Sequence, residues 1–129
     1  MLRILLCIFA LFTVGLAFSC SSAPAKPGSA SDSPTEAYKR LFVAVKAKNT
    51  DQIKAEMTQA TQQFAGAAAE RYKKPIEQVF ENGFTGTTFA ESMPPIRDER
   101  VNGDMGAVEV WNSKDSRWED LPFMKEDGA

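Results

Sequence analysis

The chain contains no histidine among its 129 residues. That absence removes the commonest general base near neutral pH and the commonest metal ligand. Cysteine is nearly as scarce, with only Cys7 and Cys20. Cys7 lies inside an apolar leader and Cys20 directly after it. The rest of the chain therefore has no thiol pair for a disulfide or for a zinc or copper site of the usual N/S type. The sequence predicts neither metal nor cofactor. It has no glycine-rich phosphate loop, no nucleophile elbow and no calcium-loop spacing. Lysine and arginine number 15 against 17 acids, giving a net charge of −2, and no basic stripe forms. Nucleic acid is therefore not an expected partner.

What the chain does have is an uncharged apolar run, Ile4 to Ser19, behind Arg3 and ahead of Cys20. The run is too short for a spanning helix of about 20 apolar residues and is followed by Ser, Pro and Gly. Its layout is that of a secretory signal peptide. An ordinary cleaved signal also fits, through Ala17-Phe18-Ser19. The placement of Cys20 resembles the export signal of bacterial lipoproteins, in which the cysteine receives a diacylglyceryl group and becomes the first mature residue. A lone cysteine in an oxidising compartment makes sense mainly when its sulfur is consumed in this way. Residues 1–19 thus read as the lipoprotein signal peptide. Cys20 reads as the lipidation site that ties the protein to a membrane of the cell envelope. Two or three acyl chains at about 0.8 kcal/mol per buried CH₂ would make that attachment effectively permanent. In Gram-negative lipoproteins Ser21 and Ser22 resemble an outer-membrane address, which implies a domain facing the periplasm.

Residues 20–33 are rich in Ser, Pro and Ala. Such a segment cannot bury enough surface to offset its ordering entropy, so a flexible tether is expected. The folded domain is expected over 34–129. Ser33-Pro34-Thr35-Glu36 is a capping box with Pro at the first helical position. Ala37, Leu41, Ala44 and Val45 recur at helical spacing, with Tyr38 and Phe42 on an adjoining strip. Asn49-Thr50-Asp51 ends this helix and caps a second. In the second, Ile53, Met57, Ala60, Phe64 and Ala67 or Ala68 predict an inward face running to about Tyr72, unbroken or kinked near Gly66. A short third helix carries Ile76, Val79 and Phe80 and stops at Gly83.

After Gly83 the period changes. Phe84 to Phe89 reads as loop or short strand, and Met93-Pro94-Pro95 as a breaker. Ile96 to Val101 predicts an exposed strand, Asn102-Gly103-Asp104 a hairpin turn, and Ala107 to Trp111 a strand alternating at period two. Asn112 to Ser116 is a second turn. Arg117 to Lys125 is a further strand, with Trp118, Leu121 and Phe123 as buried candidates and Pro122 at a bulge or edge. Helices followed by an antiparallel meander predict an α+β fold. Glu126-Asp127-Gly128 is a further hairpin signal, so one more strand is expected that this chain does not contain. It would come from a longer chain, or from a dimer or strand-sharing partner, because an open edge is an aggregation hazard.

The amphipathic helices opened by Ser-Pro-Thr-Glu-Ala-Tyr, together with the meander carrying Val-Glu-Val-Trp and Leu-Pro-Phe-Met-Lys-Glu-Asp-Gly, resemble the small bacterial lipoprotein domains of the nuclear transport factor 2-like (cystatin-like) class. The resemblance covers about Ser33 to the end. It implies a curved sheet wrapped on helices as a cone with a pocket, and it implies no activity. Candidate pocket residues are Tyr38, Asp98, Glu109, Trp111 and Trp118. Asp98, Glu99 or Glu109, whichever points inward, would be the base of an enzyme. Trp111 and Trp118 would line a ligand site, or pack across the meander. Two functions therefore stand side by side. One is a lipid-anchored domain that binds a small apolar ligand or an envelope protein without catalysis. The other is a hydrolase or isomerase using an inward Asp or Glu. Convergent polar groups in a closed pocket would favour the second.

Overall fold

A computed structural model describes residues 33–126. The expected leader, Cys20 with nearly all of its tether, and Asp127-Gly128 of the terminal turn lie outside the described residues. Four helices precede a three-stranded antiparallel sheet: α1 (Pro34–Lys46), α2 (Thr50–Ala55), α3 (Gln59–Tyr72), α4 (Ile76–Phe80), a 3₁₀ turn (Gly86–Phe89), β1 (Ile96–Asn102), β2 (Met105–Asn112) and β3 (Arg117–Met124). The fold is α+β, with sheet order β1-β2-β3. Among the described residues no helix is long and apolar enough to cross a membrane.

Helix α1 starts where its capping box places it. Ser33 is extended and its Oγ accepts from the Glu36 N–H at 3.3 Å, with Pro34 in the first turn. The Glu36 carboxylate pairs with Lys39 at 2.7 Å. The helix is the spine of the molecule because its two apolar strips serve two cores. Tyr38 and Phe42, four residues apart, pack on Val108, Val110 and Leu121 of the sheet. Leu41 and Ala44 pack with Ile53, Ala65 and Phe80 of the other helices. Gly83 ends the α4 region at φ +60°, and a Cβ there would come within 2.8 Å of Leu41. This is the stop expected of it, and it keeps the second core closed.

The expected second helix is not one helix. It breaks at Glu56-Met57-Thr58, not near Gly66, which sits inside α3. Three interactions hold the break. The Arg40 guanidinium forks onto Glu56 at 2.8 and 3.0 Å. Thr58 caps α3 by accepting from the Thr61 N–H at 3.2 Å. The Gln62 amide donates to the carbonyls of Lys54 and Met57, both at 3.0 Å, and so satisfies the end of α2. The break resets the rotational phase of the helix. Ile53 stays buried, but Ala60, Phe64 and Ala67 turn outward and Ala65 goes in. Phe64 is 66% exposed. The segment expected as loop or strand before the sheet contains the 3₁₀ turn, whose start Thr85 caps through the Thr87 N–H.

The meander follows the sequence closely. Asn102 pairs with Met105 around Gly103-Asp104, and Asn112 with Arg117 around the second turn. Val108, Val110 and Leu121 point toward the helices, whereas Glu109, Trp111, Trp118 and Asp120 take the opposite parity. Trp118 and Phe123 are only half-buried. Pro122 stands exposed on β3, which is an edge strand among the described residues. An edge tolerates its missing N–H.

Candidate functional site

Two groups of polar and aromatic side chains stand out, one on each face of the sheet. The inner group begins with Asn112 at the end of β2. It is 1% exposed, and its carbonyl accepts from the Lys114 and Asp115 N–H groups at 3.0 and 3.2 Å. That Asx-type pairing shapes the β2–β3 turn. Its amide donates to Glu119 Oε2 at 2.8 Å and to Asp115 at 3.1 Å. The other Glu119 oxygen accepts from the Thr85 hydroxyl at 3.3 Å. Thr85 lies 2.9 Å from Thr87 Oγ1, which accepts from the Tyr38 hydroxyl at 3.0 Å. Because Tyr38 donates to Thr87 and Thr85 donates to a carboxylate, Thr87 must donate to Thr85. The chain of hydroxyls thus runs one way, from phenol to carboxylate.

Burial pushes the Tyr38 phenol above its ordinary value. The Thr87 hydrogen bond works against that shift, and the Glu119 charge adds to it. Such a phenol is a fixed donor rather than a base. Every buried side-chain nitrogen or oxygen among the described residues has a partner. The chemical capacity of this inner group is spent on holding the 85–88 turn to the end of the sheet.

The outer group is built by an irregularity in β1. Ile96 pairs with Val110 and Asp98 with Glu109, so Arg97 is one extra residue. The bulge flips the alternation: Ile96 stays in the core and Asp98 faces out. Arg97 forks onto Glu109 at 2.5 and 2.6 Å, and its guanidinium lies 4.3 Å from the centroid of Trp118. Trp118 meets Trp111, its partner across the strands, edge-on with centroids 5.4 Å apart. The Arg97 hydrogen bonds hold the Glu109 carboxyl below the usual glutamate range. Beside this stack Arg100 bridges Asp98, at 3.1 Å, and Asp120.

The five sequence candidates therefore do not form one pocket. Asp98, Glu109, Trp111 and Trp118 come together on the outer face, and Tyr38 sits behind the sheet in the core. Of the acidic residues considered as bases, Glu99 is the one on the helix side. It accepts from the Thr35 N–H at 2.8 Å, and this contact with Thr35 lowers its pKa. Arg97, Asn112, Glu119, Thr85 and Thr87 were not among the candidates. An Asn opening a polar turn was the one signal that could have flagged the inner group. No three His, Cys, Asp or Glu side chains gather as a metal site among the described residues. A shallow open hollow of about 250 Å³ lies beside the β1–β2 turn, with Arg100 of the outer group in its lining.

Fold and site together define a small α+β domain with helices on one face of a three-stranded meander and an aromatic, charge-paired surface on the other. Comparison with protein-family models, curated proteins and solved structures finds no match.

Proposed function

We propose that this chain is a lipid-anchored protein of the bacterial cell envelope, held by an acylated Cys20. Its domain binds a partner protein or a small apolar ligand and does not catalyse a reaction. In a Gram-negative cell it faces the periplasm from the outer membrane. The observation that carries the non-catalytic reading is the inner hydroxyl chain. Tyr38, Thr87, Thr85, Asn112 and Glu119 are tied to one another and to the turn backbone. An active site needs acid and base groups aimed at a substrate. The outer stack of Arg97, Trp118 and Trp111 supports binding, because aromatic and arginine side chains dominate recognition surfaces.

The same reading takes the domain as nuclear transport factor 2-like, with the three strands as part of a larger curved, cone-like sheet. The β3 edge, open among the described residues, is where a further strand, from a second copy or another partner, would add on. Replacing the anchor residue tests the placement. Cys20→Ser is expected to leave an unlipidated precursor that takes up no labelled fatty acid. Normal acyl labelling of the variant in the membrane fraction would overturn the reading.

A further inference from the structure

The tip of the β1–β2 hairpin carries three large apolar side chains that the fold leaves open. Val101 is 57% exposed, Met105 51% and Met124 48%. Met105 pairs with Met124 on the outer face of the hairpin tip, and Val101, paired with Gly106, flanks that tip on the inner face. A hollow of about 250 Å³ lies beside this tip, lined by Arg100, Val101, Asn102, Met105, Gly106 and Ala107.

The chain enters the domain at this same place. Pro34 lies against Gly106 so closely that a Cβ there would collide with its ring. The next residue, Thr35, donates its N–H to Glu99 of β1 at 2.8 Å. Whatever precedes Ser33 therefore leaves from beside the tip. If the segment from Cys20 to Ser33 is the flexible tether that its composition leads one to expect, it would span about 20 Å. A domain of this size is about 30 Å across. An anchor at Cys20 would thus stay closer to the tip than to the far end.

We infer that this tip, formed by Val101, Met105 and Met124, is the surface on which the domain rests against the lipid bilayer. The inference rests on the lipid-anchored reading given above. The attraction is apolar: Arg100, the one arginine lining the hollow, is already bridged to Asp98 and Asp120, and Asp104 of the turn is acidic and would not draw anionic lipid. It needs no anionic lipid and is insensitive to salt, unlike attachment through basic clusters. Three partly exposed side chains hold weakly on their own. The tether supplies an effective concentration of about millimolar, at which weak contact suffices.

The test uses the acylated chain in phosphatidylcholine vesicles. With Cys20 acylated and the leader removed, the mature chain has no other cysteine. A Met105→Cys variant and a Ser113→Cys variant are each labelled with an environment-sensitive fluorophore. Ser113 lies in the turn at the opposite end of β2, about 25 Å away on strand rise. The Met105→Cys label is expected to shift to the blue and to be quenched by nitroxide lipids several-fold more than the Ser113→Cys label, at low and high salt alike. A labelled Val101→Cys variant is expected to report the same. Equal quenching at both ends of the sheet, in chains that remain on the vesicles, would overturn the docking and leave the anchor standing. A blue shift that grows with protein density and ignores the nitroxide would place a second copy on the tip and also overturn it. A chain that leaves the vesicles with a free Cys20 thiol would sink the anchor first and the docking with it.

Discussion

The two faces of the sheet share the same strands and the same hydrogen-bonded ladders, yet they differ in almost everything else. On the inner face Val108 and Val110 are fully buried and Leu121 nearly so, packed on Tyr38 and Phe42. On the outer face Trp111 and Trp118 are half-open, and Arg97, Glu109, Asp98, Arg100 and Asp120 form ion pairs near water. Only residue parity separates them, with one bulge at Arg97 to keep β1 in step. The contrast teaches where stability resides. Dry packing scales with area removed from water, whereas exposed ion pairs are screened and contribute little. The inner face holds the fold, and the outer face contributes less to it.

The sharpest way to break that contrast is to hollow the inner face. Phe42→Ala is expected to destabilise the domain by about 3–5 kcal/mol, the range for an aromatic truncated in a packed core. That is a large part of the total for a small domain. Urea unfolding followed by the fluorescence of Trp111 and Trp118 measures it. A loss of less than about 1 kcal/mol would mean that the face collapses around the missing ring and is not the source of stability claimed for it.

A second, smaller effect is expected where the inner face ends in polar groups. Asn112→Ala removes the acceptor for two turn N–H groups and the donor to Glu119. Leaving such partners unsatisfied costs about 1–3 kcal/mol. The loss should be local as well as global. Amide exchange at Lys114 and Asp115 is expected to accelerate more than exchange in β1. A uniform acceleration across the sheet would show that Asn112 acts only through packing. Alternating faces, capping residues and turn residues were all legible in the sequence, since each is a local signal. Ser33-Pro34, Asn102-Gly103 and the Val108/Val110 alternation placed α1 and the meander to within a residue or two.

The rest depended on long-range partners. The spacing from Ile53 through Met57 and Ala60 to Phe64 is a sound helical period, and nothing within it announces that Arg40, sixteen residues before Glu56, will hold Glu56 and break the helix. The Thr58 cap is the local clue to the break. The candidate site was less legible still. Asp98, Glu109, Trp111 and Trp118 were named from residue type and do meet. What joins them is Arg97, and its side is set by a bulge that only the pairing with Val110 and Glu109 reveals.

The smallest expected effect lies on the outer face and separates the two roles of Arg97. If the face is held only by ion pairing, Arg97→Ala and Glu109→Gln should be equivalent. If the stack on Trp118 matters, Arg97→Ala should lower the urea midpoint more, because it removes both the fork and the cation–π contact 4.3 Å from the ring. The pH dependence sharpens the distinction. The Glu109 carboxyl is held below its usual range by Arg97. Its contribution is therefore present above the unfolded glutamate value and is lost as pH falls through the lowered one. Toward acid pH the Glu109→Gln variant should converge on the parent, while Arg97→Ala stays displaced and its tryptophan emission stays shifted. Both shifts should remain a small fraction of that for Phe42→Ala. A larger shift for either would mean that the outer face carries the fold as well, and the division of labour between the two faces would fail.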